Sequence, residues 1–124
     1  MSYQDDAAKT DSKDYQPVVD RIHNLDTARL LHYALGLATE AGEFQDAVKK
    51  FIAYGKPLDK TNLKEEVGDL LWYIARICSL YGWSMEEVMD LNINKLKARF
   101  PEKFTEENAL TRDLANERKI LERI

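Results

Sequence analysis

The sequence is poor in the residues that tie a small chain together by chemistry. Cys78 is its one cysteine, so no disulfide can close within the chain, and the apolar run 74–80 around it suits a buried structural thiol and a reducing interior. His23 and His32 stand without ligand partners at useful spacing and read as structural or surface residues. No apolar stretch approaches the roughly 20 residues of a membrane helix, and the polar, acidic N-terminus lacks the apolar core of a signal peptide. A cytoplasmic protein without membrane contact is therefore expected. Positive charge is also short: 18 Lys and Arg against 22 Asp and Glu leave a net charge of −4, which argues against the concentrated basic footprint of a nucleic-acid binder. Any affinity for phosphate must be local. Strand-like alternation, internal repeats and low-complexity tracts are absent as well.

What remains is helical periodicity over the length of one domain, 124 residues of which 44% are hydrophobic and 32% charged. Residues 1–13 hold too few large apolar groups to offset the entropy of ordering and read as a flexible arm preceding a single helical domain, 14–124. Asp14 can cap a short helix carrying Tyr15, Val18, Val19 and Ile22 on one face. The longest periodic segment runs from Asp26 to Tyr54, where Gly55 and Pro57 supply the expected stop. Thr61 can cap a helix reaching Tyr81, ended by Gly82, and Ser84 to Glu87 has the form of a capping box for a helix ending near Arg99 before Pro101. Thr105 can cap a last, highly charged helix, whose tail either braces the bundle or reaches a neighbouring subunit, bracing being the preferred reading. The expected fold is all-α: a four-helix-bundle-like protomer with short accessory helices at both ends.

Each helical residue advances by about 100°, which places every charge relative to its helix's apolar stripe. In the long helix, Leu30, Tyr33, Ala34, Leu37, Ala41, Phe44, Val48, Phe51 and Ile52 form that stripe, with Glu40 at its border and Glu43 just beyond. In the next, Leu63, Val67, Leu70, Leu71, Ile74, Ile77, Cys78 and Tyr81 form one arc; Glu66 lies at its edge and Asp69 follows on the same side, whereas Glu65 points away. Each i, i+3 pair of like charges on one face costs about 0.2–0.5 kcal/mol. A charged pair of this kind is ordinarily a solvated face, but two pairs bordering two apolar stripes suit a hard divalent cation held by oxygen ligands from antiparallel helices. The fourth helix offers the opposite sign, since Asn92, Lys95 and Arg99 line one flank of a stripe made by Met85, Met89, Ile93, Leu96 and Phe100. Those cations suit phosphate oxygens, or else pair structurally with carboxylates of the bundle. Trp72, nearly opposite its helix's stripe, suggests a subunit interface.

The strings Leu35 to Lys50 (LGLATEAGEFQDAVKK), Leu63 to Tyr73 (LKEEVGDLLWY) and Asn94 to Pro101 (NKLKARFP) together resemble the MazG-like nucleotide pyrophosphohydrolases, over about residues 25–105. Their Glu-x-x-Glu, spacer, Glu-x-x-Asp pattern falls on Glu40, Glu43, Glu66 and Asp69. The resemblance implies an all-α enzyme that converts a nucleoside triphosphate, ribo or deoxyribo, and water into the monophosphate and pyrophosphate. It implies magnesium, or manganese, held by those four carboxylates, with Glu40 or Glu43 as general base, and a homodimer or homotetramer. Asn92, Lys95 and Arg99 would then steady the phosphates. Two readings stand against it. A di-iron carboxylate bundle needs Glu-x-x-His motifs, which the sequence lacks. A non-catalytic, metal-stabilised interaction module remains open, because spacing alone does not distinguish it.

Overall fold

The computed structural model describes residues 1–123. Among them the fold is all-α, as the periodicity predicts, with helices α1 (Tyr3–Ala8), α2 (Gln16–Ile22), α3 (Leu25–Tyr54), α4 (Lys60–Tyr81), α5 (Met85–Arg99), α6 (Glu106–Leu110) and α7 (Leu114–Leu121). The chain divides into two compact units, residues 1–73 and 74–124.

In the first unit, α3 begins where Asn24 Oδ1 accepts the amides of Asp26 and Thr27 at 3.0 and 3.2 Å. It ends at Gly55, whose φ of 66° lets the Lys56 amide return to the Lys50 carbonyl at 3.2 Å. That left-handed position is what the glycine is for. The cap of α4 is Asp59, whose Oδ1 accepts from the amides of Thr61 and Asn62, both at 3.1 Å; the expected cap Thr61 lies inside the first turn instead. A carboxylate two residues earlier satisfies both amides at once. The polar arm also departs from a structureless reading: Ser2 and Asp5 exchange backbone and side-chain hydrogen bonds as a complete capping box, which starts the short, fully exposed α1.

Helices α3 and α4 meet through an aromatic cluster. Tyr33 is buried and meets Trp72 edge-on at 6.3 Å between ring centroids, Trp72 meets Tyr73 at 4.9 Å, and His32 lies 5.9 Å from Tyr73. Gly36 is buried directly against the Tyr73 ring, which occupies the place a Cβ would need. This close approach fixes an antiparallel register. One turn onward along α3 comes Glu40, and one turn back along α4 comes Asp69; a further turn brings Glu43 towards Glu66.

The second unit packs α5 against α7, with Cys78 and Ile120 buried. The expected last helix is two: Thr111 leaves helical geometry at φ −111°, ψ 69°, and Asp113 restarts the helix by accepting from the Asn116 amide at 3.0 Å. Among the described residues no helix is long and apolar enough to cross a membrane.

Candidate metal centre

Glu40, Glu43 and Glu66 each present an oxygen within 4.8 Å of the other two. They come from two helices whose spacing is set by Gly36 and Tyr73, so the cluster belongs to the register of the first unit rather than to a loose surface. Glu66 is 6% exposed, Glu40 half-buried, and Glu43 and Asp69 exposed. Asp69 is outside the 4.8 Å group, yet close enough for its charge to be felt at Glu40.

The electrostatics are unfavourable as they stand. Burial raises the Glu40 carboxyl above its ordinary pKa, contact with Glu66 raises it further, and the charges of Glu43, Asp69 and Glu66 add to the effect. One oxygen of Glu40 and one of Glu66, both Oε2, are buried with no hydrogen-bond donor. Buried carboxylate oxygens are normally satisfied, and two orphans in a cluster of like charges are what a bound cation would satisfy. The donor set is all oxygen, which suits a hard divalent ion such as magnesium or manganese.

Glu66 is not wholly without support. Asn62 Nδ2 donates to its Oε1 at 3.2 Å, leaving Oε2 as the free oxygen. Beside the carboxylates runs an open cleft of about 630 Å³, lined by Gly42, Glu43, Asn62 and Glu66 together with Lys50, Lys56 and Asp59. Lys50 is engaged with Asp46 at 2.6 Å. Sequence spacing did not single out Asn62, although its place four residues before Glu66 on one helix is the signal that would have found it.

The three residues predicted to contact phosphate all lie in the second unit. Asn92 is exposed and Lys95 half-buried; Lys95 forms no ion pair among the described residues. Arg99 is engaged: its Nε and Nη2 donate to the two oxygens of Glu117 at 2.6 and 3.2 Å, and Arg112 reaches Glu117 Oε2 at 2.7 Å. Hydrogen bonds from the two guanidinium groups pull Glu117, 4% exposed, down to a pKa of about 2. The tail thus braces α5 through Glu117, a lone glutamate in a charged helix that carries no spacing signal.

Comparison with known proteins gives this geometry a family. The MazG nucleotide pyrophosphohydrolase domain matches residues 29–104, more than half of the chain. The chain belongs to the MazG family of nucleotide pyrophosphohydrolases. Relatives include the "Gene 37 protein" of Mycobacterium phage L5, 31% identical in an alignment of 74 positions that covers 56% of this chain and 65% of the phage protein. Another is the "Uncharacterized protein YvdC" of Bacillus subtilis (strain 168), 37% identical over 73 residues, 52% of this chain and 69% of that protein. The match thus spans slightly less than two thirds of the first relative's length and slightly more of the second's. No solved structure matches. The MazG match contains all four motif carboxylates together with Asn62, Asn92, Lys95 and Arg99, whereas Glu117 lies beyond it.

Proposed function

We propose that this MazG chain is a divalent-metal-dependent, and specifically magnesium-dependent, nucleoside triphosphate pyrophosphohydrolase, releasing pyrophosphate and the nucleoside monophosphate. The observation that carries the reading is the pair of buried, donor-less Oε2 atoms of Glu40 and Glu66, in a cluster where Glu40, Glu43 and Glu66 each bring one oxygen within 4.8 Å of the other two. Glu40, Glu43 and Glu66 would hold the ion, with Asp69 joining from the same face of α4. A divalent cation bound there would neutralise the triphosphate's charge, orient it and make a water easier to deprotonate. The remaining work falls to the chain. Glu43 is exposed on the cleft wall, where an attacking water can reach it, and we favour it over the half-buried Glu40 as general base.

Asn92 and Lys95 are proposed to hold phosphate oxygens as negative charge builds on the departing pyrophosphate. Arg99 spends Nε and Nη2 on Glu117, so its contribution to phosphate would come through Nη1. A homodimer or homotetramer is proposed on the apolar surface of the first unit, where Leu35 (60% exposed), Ile52 (74%) and Trp72 (52%) lie open along α3 and α4.

The reading is tested by pyrophosphate release from a panel of natural and modified NTPs and dNTPs, with and without magnesium, for the wild type beside Glu40→Ala. Magnesium-dependent turnover lost in the variant is the expected result. A chain that gains thermal stability from magnesium but turns over no triphosphate would be a metal-stabilised interaction module instead.

A further inference from the structure

We infer that Asn62 is a positioning residue for the metal centre, a role that neither the motif nor the family match assigns. The inference rests on the metal-binding reading above. Glu66 is the most buried of the four motif carboxylates, and its two oxygens are treated differently: Oε1 takes the 3.2 Å hydrogen bond from Asn62 Nδ2, while Oε2 is left buried and unpaired. A carboxylate with one oxygen tied cannot turn freely, so its other oxygen has a fixed place from which to ligate.

Asn62 is itself fixed from below. Its amide is one of the two that Asp59 Oδ1 caps, at 3.1 Å, which pins it to the first turn of α4. From there, one turn along the same face brings its side chain to Glu66. The sequence Asp59, Asn62, Glu66 is therefore a short relay: cap, donor, ligand. Because Asn62 is neutral, it orients Glu66 without adding a fifth negative charge to the cluster or neutralising the charge that a cation needs. A lysine or arginine in its place would do the latter.

The test is manganese binding to the whole 124-residue chain, followed by calorimetry and by the spin-resonance signal of the free ion, for the wild type, Asn62→Ala, Asn62→Leu and Asn62→Gln. The leucine keeps the volume of the side chain and removes the donor; the glutamine keeps a donor. Affinity is expected to fall about 10- to 100-fold in the alanine and leucine variants, in the range of other outer ligand supports, and to recover at least in part with glutamine. The unfolding temperature of the metal-free protein is expected to stay close to that of the wild type in all three. Unchanged manganese affinity in the alanine and leucine variants overturns the inference, as does a loss that merely follows a fall in metal-free stability. A wild type that binds no manganese overturns the metal reading itself and Asn62's role with it, so the two failures are distinguishable.

Discussion

Glu66 and Glu117 are both buried, at 6% and 4% exposure, and the protein treats them in opposite ways. Glu117 has two arginines on it, with both oxygens engaged, and its carboxyl is held down to about 2. Glu66 has one neutral amide on one oxygen, nothing on the other, and further carboxylates beside it. A buried carboxylate whose partners are all within the chain is part of the architecture; one with an oxygen left unpartnered is open to a partner from outside it, as the metal-binding proposal requires. Burial alone would have ranked these residues together, whereas satisfaction separates them.

The sharpest way to break this comparison is to make the same change at both places. Glu66→Gln is expected to lower magnesium-dependent pyrophosphate release by at least about 100-fold, because a ligand oxygen is exchanged for a weaker one. Its metal-free stability should be unchanged or slightly higher, since one of several mutually repelling charges is gone. Glu117→Gln is expected to do the reverse to stability: two guanidinium groups lose their counter-ion, and the thermal midpoint should fall by several degrees. Thermal unfolding of both variants without metal, beside their turnover, checks the pair. A Glu66 variant that unfolds as readily as the Glu117 variant would remove the distinction.

Acidity separates the two regions by sign. A carboxyl lowered from 4.5 to about 2 in the folded state stabilises the protein fully above pH 4.5, and that support is lost as pH falls towards 2. Glu40 is raised above 4.5, so the folded state prefers it protonated, and the metal-free protein loses stability as pH rises from 4.5 through the raised value. The metal-free stability profile should therefore have an acid limb flattened by Glu117→Gln and a second limb, on its high-pH side, flattened by Glu40→Gln. A divalent cation should remove the loss along the second limb only. Unfolding midpoints across pH 2–8 with and without magnesium measure both effects.

Much of this architecture is legible in the amino-acid sequence. The all-α class, the ends of α3 and the border positions of Glu40 and Glu66 follow from periodicity and capping, which are local properties of the chain. The MazG strings add the expected reaction. What periodicity cannot supply is contact between elements. Asn62 and Glu117 matter through the atoms they touch, and nothing in the spacing of a charged tail announces that Glu117 will meet Arg99 rather than solvent. The single charged helix expected after Thr105 also failed, because Asp113 caps as readily as it continues, and the chain uses it to start again. Helix α1 is invisible to periodicity for a similar reason: a capping box of two polar residues can organise one turn without any apolar face.

The same logic reaches two glycines less than two turns apart on α3, and here the expected effects are smallest. Gly36 has its reason inside the chain, since a methyl group there meets the Tyr73 ring. Gly36→Ala should cost about 1–3 kcal/mol, as other overpacked sites do, and should loosen the register that brings Glu40 towards α4. Gly42 has no such reason: nothing lies within 4 Å of an added Cβ, and the residue lines the cleft beside Glu43. Gly42→Ala should therefore stabilise the helix by up to about 1 kcal/mol. A glycine at this point of a helix, on the wall of a cleft, leaves room for a substrate to pass close to the backbone. Denaturant unfolding, read beside the KM for the preferred triphosphate, separates the two positions. Gly42→Ala is expected to be the more stable protein with the higher KM, and an unchanged KM would mean that this glycine, unlike Gly36, serves neither the fold nor the substrate.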